Sequence, residues 1–368
     1  MAGEAKERLD FLQAFRALAA VIVSISHMAT ELLSKPRFAN SATLYWGHSL
    51  AFGVDIFFII SGFIMVYTTA NAAGGRGDAM SFFRRRLIRI VPVYWLYTSL
   101  FLAVVLLHPS SITHSNIDIQ HVLASYFFIP MTERAGGEIA PVYALGWTLN
   151  YEMFFYAVFA LVLLAPRRHL MPILAVLFVT LVVIGLFVPQ SFTAVWYWTR
   201  SSILEFLFGA VIAQLYLRSF RLPVWLCVSF VLAGVALWQS VFGIFGVDAG
   251  DHSTRGLLWG IPAALMVSGV ALCPPVRRIF TMRWAVPLVV VGDISYSLYL
   301  VHMFTVRAMT YAIPASRFGW AYPAVYIVLT TAATIGAAYL SYIWFEKPVH
   351  DLARRPLSQW KAVFGLTT

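Results

Sequence analysis

Apolar windows separated by short polar segments run along nearly the whole chain. They predict helices at about 11 to 33, 44 to 69, 87 to 107, 141 to 165, 170 to 188, 201 to 217, 222 to 241, 256 to 273, 284 to 306 and 320 to 345. At a rise of 1.5 Å per residue, one crossing of a ~30 Å hydrocarbon core takes roughly 20 apolar residues, which these windows supply. The expected fold class is therefore all-α: a polytopic integral membrane helical bundle of about ten transmembrane helices. The longest segment between windows, 108 to 140, carries His108, His114, Asp118, His121, Glu133 and Glu138 around an apolar piece, 122 to 131, that is too short to cross. A lid or re-entrant element is expected there, with its histidines facing water.

Composition removes the main competing class. Residues of the AVILMFWYC set make up 60% of the chain and charged residues only 11%, against about 25% charged in a soluble globular protein. A water-soluble domain is excluded. The net charge of +10 reads as topology and not as a nucleic-acid surface, because nineteen of the 26 Lys and Arg fall on one side when the windows alternate across the bilayer. An even number of spans then puts both termini in the cytoplasm. The mixed-charge start and the length of the first apolar run predict a retained first helix, not a cleaved leader. Cys227 and Cys273 lie in apolar stretches without metal-ligand spacing and read as packing residues. No metal is expected, and without a linker residues 1–368 are read as one transmembrane domain.

Ionisable groups in hydrocarbon cost at least ~2.5 kcal/mol each on insertion scales, so those that remain are candidate site residues. They fall into two layers: Arg16, Arg86, Arg89 and Glu346 near the inner surface, and His27, Asp55, Glu152, Glu205 and His302 halfway out or further. Arg16 and His27 are eleven residues apart on the first helix, close to three turns, which puts both on one face. Arg86 and Arg89 share a face of the third helix, and two guanidinium groups so placed suit a pyrophosphate or phosphate. The plainer alternatives are a snorkelling arginine at a helix foot, a positive-inside stop and a buried, satisfied histidine. Asp55 or Glu152 is expected to pair with His27, and Glu31, one turn beyond that histidine, is a candidate to orient its ring. Glu205 reads as structural. Tyr296, Tyr299 and His302 recur at helical spacing and are placed near the outer end of the ninth span, where their rings would suit a sugar face or an interface belt. The nucleophile elbow, the P-loop, the Rossmann fingerprint and H-E-x-x-H are all missing from the sequence.

Several segments resemble the bacterial membrane acyltransferase-3 family. They are Arg16 with ten residues before His27, 57–63 (Phe-Phe-Ile-Ile-Ser-Gly-Phe), 83–95 with its Arg86-x-x-Arg89 pair, 147–152 (Trp-Thr-Leu-Asn-Tyr-Glu), 292–302 from Gly292 to His302, and 345–348 (Phe-Glu-Lys-Pro). They occur in order from about residue 8 to 350. Where many such proteins have Asp-Gly-Leu-Arg, this chain has Gln13-Ala14-Phe15-Arg16. The resemblance implies an O-acyltransferase of the bacterial inner membrane that moves an acyl group, acetyl first of all, from acyl-CoA to a hydroxyl of an exported or cell-surface polysaccharide or its lipid-linked precursor. The exopolysaccharide-modifying branch is the nearest in its first motif. It implies functional roles for Arg16, His27, Arg86 and Arg89. The expected partners are acetyl-CoA, a carbohydrate acceptor and membrane lipids, with a homo-oligomer left open. On this expectation the CoA nucleotide rests among the arginines, the pantetheine arm threads between helices and the thioester arrives near His27. His27 then acts as general base or as a transient acyl carrier. A transporter for a lipid or small organic anion remains the alternative from another class, since intramembrane acids and histidines also form proton relays. A non-catalytic subunit of a polysaccharide exporter is a third.

Overall fold

Hydrocarbon offers no water to the backbone, so a crossing segment must satisfy its own N–H and C=O groups, and the helix does this within one segment. The computed structural model describes residues 9–107, 118–132, 139–246 and 254–354, the Arg354 side chain excepted. Within the described residues the regular structure is helical, apart from one isolated bridge between Thr132 and Ile139. In chain order the helices are α1 (Asp10–Leu33), α2 (Ala42–His48), α3 (Gly53–Thr68), α4 (Arg76–Leu107), α5 (Ile119–Tyr126), α6 (Trp147–Val162), α7 (Leu170–Gly185), α8 (Thr193–Trp198) and α9 (Ile203–Leu217). They continue as α10 (Val224–Phe245), α11 (Arg255–Leu258), α12 (Gly260–Ala271), α13 (Pro274–Ile279), α14 (Val286–Asp293), α15 (Ser295–Ala312), α16 (Tyr322–Ser341) and α17 (Lys347–Arg354). The molecule is an all-α polytopic bundle.

Eight helical segments among the described residues are long and apolar enough to cross a membrane. Two of the predicted windows take other forms. The window 284 to 306 is broken into α14 and α15, which meet at an angle of 69° across Ile294, and the window 256 to 273 is the shorter apolar stretch Arg255–Ala271. The break has a packing cause: Gly292 lies directly against the Gln13 backbone of α1, so that α14 crosses α1 more closely than any side chain would allow. The window 87 to 107 begins too late, because α4 starts at Arg76 and carries its arginines on regular helix. In the 108 to 140 segment, α5 is a two-turn helix whose Asp118 cap accepts the His121 N–H at 2.7 Å. His121 does not face water as expected. It is buried, and its Nε2 donates to the Ala140 carbonyl at 2.8 Å. His108, His114, Glu133 and Glu138 lie outside the described residues.

Burial separates centre from periphery. The apolar stretch of Ala42–Thr68 is 72% buried and that of α1 67%, whereas that of α10 is 11%, so α1 and α3 form the hub and α10 presents most of its surface outward. The closest joint in the hub is between α3 and α9. Gly62 faces the Phe206 backbone and Gly209 faces the Ile59 backbone, a reciprocal pair that brings the two helix axes together. Phe206 then stacks between Phe58 (4.7 Å) and Phe155 (4.4 Å). The start of α1, the start of α4 and the last helices share one end of the bundle: Arg84 donates to the Ala353 carbonyl at 3.2 Å. A Cβ branch at Gly62 has no room to grow. Gly62→Val is expected to cost about 3 kcal/mol or more, as overpacking against backbone does. The loss would be read as a lower thermal midpoint in detergent, and an unchanged midpoint would refute the packing described.

Candidate functional site: an arginine-lined cavity beside a histidine pair

The inner part of the bundle collects guanidinium groups from two helices. On α1, Arg16 is buried and its Nη1 donates to Gln13 Oε1 at 3.1 Å. On α4, Arg86 is buried, donates through Nη2 to Thr68 Oγ1 at 3.2 Å, and lies over the rings of Phe82 (5.5 Å) and Tyr156 (5.8 Å). Arg89, one turn on, is half-buried. All three line one cavity of about 70 Å³, with Ser61, Glu152, Tyr296 and Tyr299 on its walls. Among the described residues, none of the three has a carboxylate within 4.0 Å. A guanidinium taken from water is costly unless paired, and its planar fork of donors matches phosphate and carboxylate oxygens.

The acids are placed differently from the expectation. Glu152 belongs to the arginine layer and not to His27: Ser61 Oγ donates to its Oε1 at 2.8 Å, and the Tyr156 hydroxyl, one turn along α6, donates to the same oxygen. Glu346 is carried inward by the π-helical turn Tyr342–Glu346, where it accepts from Ser297 Oγ at 2.6 Å. Asp55 is fully buried on the opposite side of α3, and its Oδ2 accepts from Arg255 Nη2 at 2.8 Å. Glu205 is fully buried in the same cluster, and the Arg255 guanidinium sits over the rings of Trp147 (5.4 Å) and Trp259 (5.6 Å). The expected Asp55–His27 pair is therefore absent, because a buried carboxylate is better compensated by a guanidinium than by a neutral imidazole. Arg255 was missed because the windows placed it in an outer loop. The only sequence signal for it is that an intramembrane aspartate requires a cation somewhere. Glu31 faces Arg307 at 3.6 Å instead of orienting His27.

His27 lies on the same face of α1 as Arg16, about 16 Å further along the axis. Its ring neighbour is His302, with centroids 5.1 Å apart. His302 is fully buried, and its Nδ1 donates to the Tyr299 carbonyl at 2.6 Å. The 69° break places Tyr296 and Tyr299 at the foot of α15, level with the arginines, and not at the outer end of a straight span. Both hydroxyls have protein partners: Tyr296 donates to the Ile90 carbonyl at 2.7 Å, and Tyr299 bonds with Thr148 Oγ1 (3.0 Å) and the Leu145 carbonyl (3.1 Å). His27 and His302 are not on the cavity wall. Tyr299 stands between: it lines the cavity, touches Phe57 edge-on at 6.1 Å and lies 5.8 Å from the His302 ring. Among the described residues no three His, Cys, Asp or Glu converge as a metal cluster.

Comparison with known proteins gives this arrangement its family. The sequence profile of the acyltransferase domain matches residues 9–342. The chain belongs to the acyltransferase-3 family. It is 36% identical over 302 residues to the exopolysaccharide production protein ExoZ of Rhizobium meliloti, covering 81% of this chain and 89% of that protein. It is 26% identical to the acyltransferase MdmB of Streptomyces mycarofaciens over 82% of this chain and 79% of the relative. It is 25% identical to the O-acetyltransferase OatA of Staphylococcus aureus over 93% of this chain, which spans 57% of OatA. No solved structure matches. The protein is thus an acyltransferase, and Arg16 on the cavity wall and His27 beyond it lie on one face of α1.

The cluster around Asp55 stands apart from this acyltransferase cavity and holds α3 to α11. Replacing Arg255 by Met strands two buried carboxyl groups. It is expected to cost about 3–5 kcal/mol of stability, seen as a fall in the thermal midpoint of the solubilised protein. A midpoint equal to that of the wild type would show that the pair does not secure the helices.

Proposed function

We propose that this acyltransferase moves an acyl group, acetyl in the first instance, from acyl-CoA to a hydroxyl of an exported or cell-surface polysaccharide or its lipid-linked precursor, in the bacterial inner membrane. The observation that carries the reading is the trio Arg16, Arg86 and Arg89, which lines one cavity and, among the described residues, has no carboxylate oxygen within 4.0 Å of its guanidinium nitrogens. The anionic end of CoA supplies what these groups lack. The similarity to ExoZ and OatA supports a glycan acceptor and, through OatA, acetyl as the group. Positive-inside bias supports a cytoplasmic position for the arginine-rich end and for both termini.

On this reading the phosphates rest on the guanidinium groups and the pantetheine arm lies along the cavity past Tyr296. Tyr299 and Thr148 line the cavity and His27 does not, so the thioester reaches His27 when the Phe57 and Tyr299 rings swing aside. The acceptor oxygen attacks the thioester carbonyl, His27 takes the hydroxyl proton, the C–S bond breaks, and the imidazolium returns the proton to the departing thiolate. Glu152 balances the arginine charge and anchors Ser61 and Tyr156. Asp55, satisfied by Arg255, stays out of the chemistry. The transport alternative requires broken helices in corresponding halves of the chain, and among the described residues a single bent pair occurs.

The test is release of free thiol from acetyl-CoA by the purified full chain, with β-linked gluco- and galacto-oligosaccharides as acceptors. His27→Ala is expected to abolish turnover. Arg86→Gln and Arg89→Gln are each expected to raise the KM for acetyl-CoA about tenfold to a hundredfold, the loss of one charge-assisted contact of about 1.5–3 kcal/mol. An unchanged KM in both arginine variants would refute the donor site. Acyl transfer to His27 by donor alone would replace direct attack with a two-step route.

A further inference from the structure

The reading above leaves a gap: once Asp55 and Glu152 are committed elsewhere, nothing expected from the sequence orients the imidazole of His27. A general base needs one defined nitrogen free, and an imidazole achieves this when its other nitrogen is held by a hydrogen bond. The nearby acids are all engaged, Asp55 with Arg255, Glu152 with Ser61 and Tyr156, and Glu31 opposite Arg307.

His302 has the required chemistry. The Tyr299 carbonyl can only accept, so the 2.6 Å bond puts the ring proton of His302 on Nδ1. The ring has no acid paired to it among the described residues, so Nε2 carries a bare lone pair. That nitrogen is buried and is one of several polar atoms without a hydrogen-bond partner among the described residues. The His27 ring lies beside that of His302, at 5.1 Å between centroids and 38° between planes, a separation at which edge nitrogens turned toward each other come within hydrogen-bonding reach. The backbone beneath is tied as well: Thr305 Oγ1 donates to the His302 carbonyl at 2.8 Å and also bonds Thr334 Oγ1 at 2.6 Å.

We infer that His302 is a positioning residue whose Nε2 accepts the ring N–H of His27, fixing the opposite nitrogen of His27 as the one that takes the proton of the acceptor hydroxyl. This rests on the general-base reading of His27. The proton balance is unchanged by it: the N–H held by His302 stays on His27 throughout, the hydroxyl proton joins the other nitrogen, and that same proton leaves with the thiolate. His302 spreads the transient imidazolium charge and is regenerated without exchanging a proton. The ordinary task of a carboxylate beside a catalytic histidine is here performed by a second, neutral imidazole, which avoids placing another charge in hydrocarbon.

The experiment compares His302→Gln, which keeps an acceptor oxygen, with His302→Leu and His302→Phe, which keep volume and lose the acceptor. All are purified as full chains and checked for monodispersity and thermal midpoint. With acetyl-CoA and the best wild-type oligosaccharide acceptor, Leu and Phe variants are expected to lose about 30-fold or more in kcat with the KM for both substrates within twofold, while the Gln variant stays within about fivefold of wild type. A monodisperse Gln variant as slow as the Leu and Phe variants, or a Leu or Phe variant at wild-type kcat, overturns the inference. A rise in acceptor KM with kcat intact also overturns it and assigns the ring to acceptor binding. Absence of thiol release by the wild type, or an active His27→Ala enzyme, defeats the underlying reading and this inference with it. Failure confined to the His302 series leaves that reading standing.

Discussion

The architecture depends on what happens to a polar side chain where no water can reach it. In hydrocarbon each such group is neutralised by a partner or constitutes a standing cost, and this chain gives several of its intramembrane acids a partner: Asp55 with Arg255, Glu152 with Ser61 and Tyr156, Glu346 with Ser297. Two exceptions bear on the site: the arginine trio around a cavity, and the nitrogen on His302, one of several buried polar atoms without a hydrogen-bond partner among the described residues. On the proposed reading the first takes an anion from outside the protein and the second takes a donor from the neighbouring ring.

The hub makes these exceptions possible. Where α3 and α9 meet through Gly62 and Gly209, helix axes come close enough to hold Ser61 rigidly at the cavity wall, and Gly292 does the same for the crossing of α14 over α1. Close backbone approach here sets the positions of polar groups as well as packing density. The break between α14 and α15 redirects the chain so that Tyr296 comes level with the arginines while His302 comes level with His27.

Much of this was legible in the sequence because apolar length acts locally. The ten windows each hold a helix, and the Arg86–Arg89 spacing placed both groups on one cavity as helical periodicity requires. What could not be read was partnership across the bundle. Asp55 and Arg255 are 200 residues apart, and no local pattern links an aspartate on one span to an arginine read as lying in an outer loop. Tyr296 and Tyr299 were misplaced for a related reason: a straight span was drawn through Ile294, and only the contact between Gly292 and the Gln13 backbone shows why the helix turns there. His121 was assigned to water because its loop is polar, yet its ring closes the loop onto Ala140.

Tyr299 has two attachments that use different atoms. Its phenol, tied to Thr148 and Leu145, lines the chamber, whereas its main-chain oxygen holds the His302 ring. Trimming the side chain would enlarge the chamber without untying that ring. Wall and tether are thus separable features of a single residue, since a substitution that reshapes the phenol leaves the main-chain tether to the imidazole in place.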